Sequence, residues 1–232
     1  MSKFTLRFSF AVIFLSLILA SCSGDSDGNE EQQGGISTGD YWPTAVNNRW
    51  IFEDEYEDQE TMKILSTQNI NGNLHYQYEN FIGLTTDGYI GQAIVTSRKS
   101  NGDYFVRYEV IFPGSNDSPS ITVLPVEYII LKDYLEVNQT WSQTLTQTTR
   151  ISGFPDSNVT VQLNGKILEK NGTLTVNGTL YTNVIKSQLT QNTAGVTIEN
   201  YYWFSKDVGL IQYQNIGAGL NIRKSLVSYS LN

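Results

Sequence analysis

The chain contains a single cysteine, Cys22, and a single histidine, His75. One cysteine rules out an intramolecular disulfide, and so small a stock of soft donors rules out the usual zinc and other transition-metal ligand sets. A nucleophilic triad would need His75 beside an activated serine, but no G-x-S-x-G elbow exists. His75 sits instead on a hairpin arm, Asn73 to Tyr78, which gives it a structural or surface role. There is no P-loop and no dinucleotide fingerprint, so no cofactor is implied. Cations are also scarce: 15 Lys and Arg face 23 Asp and Glu. Such a surface repels nucleic acid and anionic headgroups, and a nucleic-acid partner is excluded. No apolar run reaches the roughly 20 residues of a membrane-spanning helix. The longest, Phe8 to Ala20, has only Ser9 and Ser16 as polar interruptions.

That run follows Lys3 and Arg7 and ends at Leu19-Ala20-Ser21-Cys22, the n-region, h-region and cleavage site of a secretory leader. The sequence resembles the bacterial lipoprotein signal, which implies acylation of the Cys22 thiol and residues 1–21 as a signal peptide. Multiple acyl chains would hold the protein to its membrane, since each buried CH₂ contributes about 0.8 kcal/mol. Ser23 is not the aspartate that resembles an inner-membrane retention signal, so the outer membrane is favoured. The acidic stretch from Ser23 to Glu31 resembles the export tag of surface-exposed lipoproteins of the Bacteroidota, which favours the cell surface over the periplasmic face. Residues 22–39 also read as a flexible acidic tether, because Ile36 is their only large apolar residue. Asp25, Asp27, Asn29 and Glu31 alternate, but Glu30 and Ile36 stand where a calcium loop needs Gly and Glu. Without residues 1–21, which carry Lys3 and Arg7, 13 basic side chains face 23 acidic ones, a formal charge of −10.

Residues 40–232 read as one all-β domain, expected to be monomeric. Val106, Tyr108, Val110 and Phe112 alternate with Arg107 and Glu109; Val159, Val161 and Leu163 repeat the pattern, as do Val196, Ile198, Tyr202 and Phe204. Asn-Gly pairs at 71–72, 101–102, 164–165, 171–172 and 177–178 each predict a hairpin turn. About ten to twelve strands are expected between Asn48 and Ser230, as an antiparallel meander curled into a barrel or half-open barrel, a sandwich being the alternative. Little helix is expected, although residues 126–135 could hold a helical turn. Val46-Asn47-Asn48-Arg49-Trp50 is echoed by Val137-Asn138-Gln139-Thr140-Trp141, which would suit a sheet of two halves.

Three stretches carry a resemblance. Tyr41-Trp42-Pro43-Thr44-Ala45-Val46-Asn47-Asn48-Arg49-Trp50, Val176-Asn177-Gly178-Thr179-Leu180-Tyr181-Thr182-Asn183-Val184 and Tyr202-Trp203-Phe204-Ser205-Lys206-Asp207-Val208-Gly209-Leu210 are similar to motifs of uncharacterised bacterial outer-membrane lipoproteins. Asn47 stands where that family usually has Gly. The resemblance implies a lipocalin-like or lipoprotein-carrier-like curved sheet and no catalytic residues.

Two features remain as site candidates. In the acidic run Glu53 to Glu60, a continuous strand would turn Asp54 inward with Trp50, Phe52 and Tyr56, making it the carboxylate to examine; a solvated hairpin loop is the plainer reading. Along Thr197 to Phe204, alternation sets Tyr201 and Trp203 opposite Tyr202 and Phe204, so one pair lies outside the core or faces a cavity. Tyr201, Trp203 and Tyr202 are the candidate ligand surface. Three classes of function follow: an envelope domain holding an apolar or amphiphilic small molecule or serving as an accessory subunit, a glycan-binding module, and, least favoured, a carboxylate-based hydrolase. Replacing Cys22 by Ala is expected to abolish palmitate labelling and membrane retention; a variant that still fractionates with membranes overturns the anchoring.

Overall fold

Period-two alternation broken by turn residues dictates strands, and the computed structural model, which describes residues 34–82, 91–115 and 118–232, consists of them. They are β1 (Arg49–Glu53), β2 (Gln59–Ile70), β3 (Asn73–Tyr78), β4 (Gln92–Ser100), β5 (Asp103–Phe112), β6 (Ile121–Lys132), β7 (Thr140–Ile151), β8 (Ser157–Val176), β9 (Thr179–Thr193), β10 (Val196–Ser205), β11 (Gly209–Gly217) and β12 (Leu220–Ser230). Each pairs antiparallel with its neighbours along the chain, and β1 pairs with β12, so the meander closes into a barrel without a free edge. No helix occurs among the described residues. Residues 126–132, where a helical turn is expected to begin, complete β6, because their alternating apolar side chains find partners on β5.

The turn chemistry is more varied than the Asn-Gly rule predicts. Asn71–Gly72 and Asn177–Gly178 adopt the positive φ pair of a type I′ turn, 52° and 81° in the first and 46° and 78° in the second. Asn101 heads the β4–β5 turn at φ 51°. The other two pairs are not hairpin turns but lie within β8. Asn171, at φ 54°, falls where the β8–β9 register slips between Glu169 and Gly172. Gly165 is required for another reason: a Cβ there would lie 2.0 Å from Cε2 of Trp141, its partner on β7. Two tight turns carry Ala in place of Asn, at Ala194–Gly195 and Ala218–Gly219.

The two-halved pattern exists at the level of hydrogen bonds. Asn47 and Asn138 take φ values of 74° and 72°. Asn47 N donates to Ile64 O at 2.9 Å and Asn138 N to Ile167 O at 2.8 Å. In return, Ile64 N donates to Asn48 O at 2.9 Å, and Ile167 N to Gln139 O at 3.1 Å. Each unit opens a strand, β1 or β7, whose tryptophan is buried, and each splits the ring into six strands and six.

The junctions between these halves differ. β12 and β1 pair over Arg49↔Ser230 to Glu53↔Ser225. β6 and β7 pair only over Ile121↔Ile151 to Val123↔Thr149. Pro125 follows at once; lacking an N–H, it belongs at edges and irregularities, and the β5–β6 register is also broken there. Farther along, side chains replace the ladder: Gln143 Oε1 accepts from Ile129 N at 2.8 Å, and Trp141 Nε1 donates to Ile129 O at 3.4 Å.

The rim bearing Arg49, Ser100, Lys132 and Ser230 is plugged. Residues 34–42, which include the end of the stretch read as a tether, lie across it. Buried Asp133 accepts from Ser37 Oγ at 2.6 Å and Thr38 N at 3.1 Å. The Tyr104 hydroxyl accepts from Tyr41 N at 3.0 Å. Trp42 then descends among Phe81, Phe204 and Tyr78, with centroids at 5.7, 5.7 and 6.2 Å, and Trp50, Phe52, Met62, Ile64 and Ile185 complete this half of the core. The core draws on residues from Tyr41 to Leu231, and the ring closes on itself. Gly165→Ala is expected to lower stability by about 1–3 kcal/mol through overpacking against Trp141. In thermal denaturation, Gly165→Ala with Trp141→Phe should lose less than the two single variants added together.

Candidate functional site

The opposite, distal half of the barrel is lined differently. Paired residues in an antiparallel ladder project to the same face, so register fixes which side chains point inward. Phe52↔Glu60 sets Glu60 on the inner wall; Tyr202↔Tyr213, Tyr213↔Lys224 and Asn200↔Asn215 set those five there; Val106↔Tyr128 adds Tyr128, with Tyr108 two residues beyond Val106. The result is a tyrosine-walled interior with a polar belt. Lys224 Nζ donates to Glu60 Oε2. Tyr213 OH donates to Asn200 Oδ1 at 2.9 Å, and Asn215 Nδ2 donates to the same oxygen at 2.7 Å. Tyr108 OH donates to Gln147 Oε1 at 3.2 Å, and the Tyr108 and Tyr128 rings meet edge to face at 6.2 Å.

Burial keeps these phenols neutral. It pushes Tyr108 up to about 12 and raises Tyr128, Tyr202 and Tyr213 further, and the mutual repulsion of the Tyr128, Tyr202 and Tyr213 phenolates adds to the shift of Tyr202. They serve as hydroxyl donors and acceptors rather than bases. Glu60 is the one carboxylate that register places on this inner wall among the described residues, so the paired carboxyls of a glycosidase, roughly 5–9 Å apart, are not assembled there. No group of three His, Cys, Asp or Glu side chains gathers as a metal site would need, among the described residues.

The candidate surface of aromatic residues is divided by the wall. Tyr202 faces the interior, while Tyr201 and Trp203 lie on the outer face opposite Gln188 and Lys186. Their rings are 6.3 Å apart and tilted by 37°. Lys186 Nζ lies 4.8 Å from the Trp203 ring and 5.7 Å from the Tyr201 ring. Tyr201 OH donates to Glu199 Oε2 at 2.7 Å, and desolvation, reinforced by this contact, pushes the phenol up to about 12. Cys22 lies outside the described residues.

Asp54 does not turn inward. β1 ends at Glu53, and Asp54 Oδ1 accepts from Tyr56 N at 2.9 Å and Asp58 N at 3.1 Å, the side-chain-to-backbone bonding that makes Asp a turn former. The carboxylate that enters the barrel is Glu60, after the turn. Glu53, Asp54 and Glu55 line one side of an outer groove of about 450 Å³, with Asn177, Gln214 and Arg223 opposite.

Sequence reasoning overlooked Glu60, Lys224, Asn200, Asn215, Tyr128 and Tyr213. Their trace is a polar residue at an apolar beat of the alternation: Glu60 before Met62 and Ile64, Asn200 between Ile198 and Tyr202, Lys224 between Ile222 and Leu226. On its own each looks like a lapse of pattern; only the closed register brings them together.

Comparison with known proteins adds the following. No protein-family model matches the sequence, and no curated protein matches it. Among solved structures, a candidate lipoprotein of Parabacteroides distasonis ATCC 8503 superposes with a TM-score of 0.47 at 11% identity, covering 84% of this chain and 100% of that one. A candidate exported protein with a YmcC-like fold from Bacteroides fragilis NCTC 9343 gives a TM-score of 0.40 at 7% identity, over 83% of this chain and 99% of the other.

His75 stands apart from the inner wall. It is 2% exposed, on the barrel's outer face, with Nδ1 3.1 Å from Thr96 Oγ1 and Nε2 3.7 Å from Glu127 Oε2. Glu127 is itself held by Arg98 at 2.5 Å. Desolvation holds His75 below its ordinary value of 6.5; Glu127 opposes this, while Arg98 and Arg107 reinforce it. A depressed folded-state value means stability that is full above about pH 6.5 and is lost as pH falls through the lower, folded value. His75→Gln is therefore expected to show a smaller fall in thermal stability between pH 7 and 5 than the parent; equal slopes would remove the histidine from the acid response.

Proposed function

We propose that this protein is a lipid-anchored domain of the outer membrane, carried on Cys22, whose barrel holds a small amphiphilic molecule without acting on it chemically. The reading rests chiefly on the contrast between the two halves of the interior. The plugged half is packed with tryptophan and phenylalanine that solvent does not reach, whereas Tyr108, Val126, Tyr128 and Leu145 in the distal half keep partial exposure. Neutral tyrosine hydroxyls beside apolar ring faces suit a ligand with both characters. The β6–β7 junction, where side chains stand in for the ladder, adds a lateral discontinuity beside the same residues.

The acidic stretch after Cys22 supports the cell surface over the periplasmic face, and residues 34–42 would then place the plugged rim toward the anchor. The tilted Tyr201–Trp203 pair beneath Lys186 offers a glycan less than an open coplanar platform would. Native mass spectrometry on the chain from Ser23, produced in the periplasm and kept out of detergent, is expected to show an adduct that is lost on denaturation. A reproducibly clean mass, together with no uptake of added amphiphiles, would overturn the carrier reading.

A further inference from the structure

The polar belt also constrains what the ligand presents. Asn215 is 2% exposed, and its Oδ1 has no hydrogen-bond partner among the described residues. Its orientation follows from its neighbour: Asn200 Oδ1 already accepts from Tyr213 OH and from Asn215 Nδ2, which fills both of its lone pairs and turns the Asn215 oxygen away. A buried acceptor left unpaired keeps its desolvation cost uncompensated, and a donor on the ligand would offset it. Asn215 lies one inward rung from Gly217 and beside Ile222, its cross-strand neighbour, which is 38% exposed. Solvent therefore reaches the wall next to it.

Charge narrows the class further. Lys224 is the one cation that register places on this inner wall among the described residues, and its ammonium is bound to Glu60. An anionic headgroup would have to break that pair and leave a carboxylate facing its own charge. Resting on the carrier reading above, we infer that the distal half recognises a neutral headgroup bearing hydroxyl or amide N–H donors, with Asn215 Oδ1 as the receiving atom, and that it discriminates against carboxylate and phosphate headgroups.

Isothermal titration on the chain from Ser23 tests this with three single-chain amphiphiles built on eight-carbon chains, each below its micelle-forming concentration. Octyl glucoside supplies hydroxyl donors, octanoate an anion, and an octyl oligoethylene glycol methyl ether acceptors only. The glucoside is expected to bind at least tenfold more tightly than the other two. Asn215→Leu should reduce glucoside affinity about tenfold while leaving binding of the ether unchanged and the melting temperature near that of the parent. Octanoate binding as tightly as the glucoside overturns the charge argument. An ether preference, or a glucoside affinity untouched by Asn215→Leu, overturns the role of the Asn215 oxygen while leaving the uptake of an amphiphile standing. Failure of all three amphiphiles to bind would remove the hollow itself and the carrier reading with it. The comparison of the three ligands stands on the parent protein alone, should the variant fail to fold.

Discussion

Everything in this barrel depends on the pairing of its first strand with its last. The ladder from Arg49↔Ser230 to Glu53↔Ser225 removes the two edges that a twelve-stranded sheet would otherwise present. It is reinforced where the chain enters β1 and leaves β12: Asn232 N donates to Asn48 Oδ1 at 2.8 Å, and Trp50 Nε1 reaches the turn between β10 and β11, donating to Val208 O at 2.8 Å. With a single cysteine there is no covalent alternative to this closure. The contact spans almost the whole folded chain, so its formation waits on the ordering of everything between, and loop-closure entropy opposes it throughout. The docking of residues 34–42 on Asp133 and Tyr104 is built on the closed ring, since those two residues belong to the opposite side of it.

The two junctions between the six-stranded halves show how one local unit serves different ends. Both halves open with the same left-handed asparagine and the same reciprocal pair of backbone bonds to a facing isoleucine. At Trp50 that unit feeds a backbone ladder. At Trp141 the neighbouring strand has been diverted by Pro125 and its bulge, and the indole N–H and the Gln143 amide satisfy Ile129 instead. Gly165 is the consequence on the far side, because an indole aimed across the wall needs a partner without a side chain. A backbone bond saved in one place has thus set residue identity in two others.

The architecture was legible because alternation is local. Val106, Tyr108 and Val110, like Ile198, Tyr202 and Phe204, fall on the inner wall as their spacing predicts, and the strand count and limits follow from the same signal. The Asn-Gly rule was less faithful. The dipeptide permits a turn without requiring one, and at Gly165 the packing of Trp141 selected glycine while the ladder continued through it. Ala194–Gly195 and Ala218–Gly219 show the reverse, a turn imposed by register on a residue that resists positive φ. The site was the least legible part. Glu60 and Lys224 are 164 positions apart in sequence, and only ring closure makes them neighbours. The Tyr201–Trp203 pair drew notice because aromatic residues are conspicuous in a sequence, yet its partner across the wall, Tyr202, is the one that belongs to the belt.

The inner wall itself argues that the polar belt is there for a reason other than folding. Replacing a buried ion pair or amide cluster by well-packed apolar residues is commonly neutral or stabilising. The same chain fills the other half of the same barrel in that way, with Trp42, Trp50, Phe52, Phe81 and Phe204. An apolar filling was therefore within reach of this backbone, and the distal half departs from it at seven strands: β2, β5, β6, β7, β10, β11 and β12. A chance lapse would strike one position. Here Glu60 answers Lys224, Tyr213 answers Asn200, and Asn200 orients Asn215, so each polar residue has its geometry set by another until the series reaches the unpaired oxygen of Asn215. Local departures from the packing rule that are mutually consistent, and that terminate in an unmet valence, are what the proposed ligand would require of a wall that could otherwise have been filled.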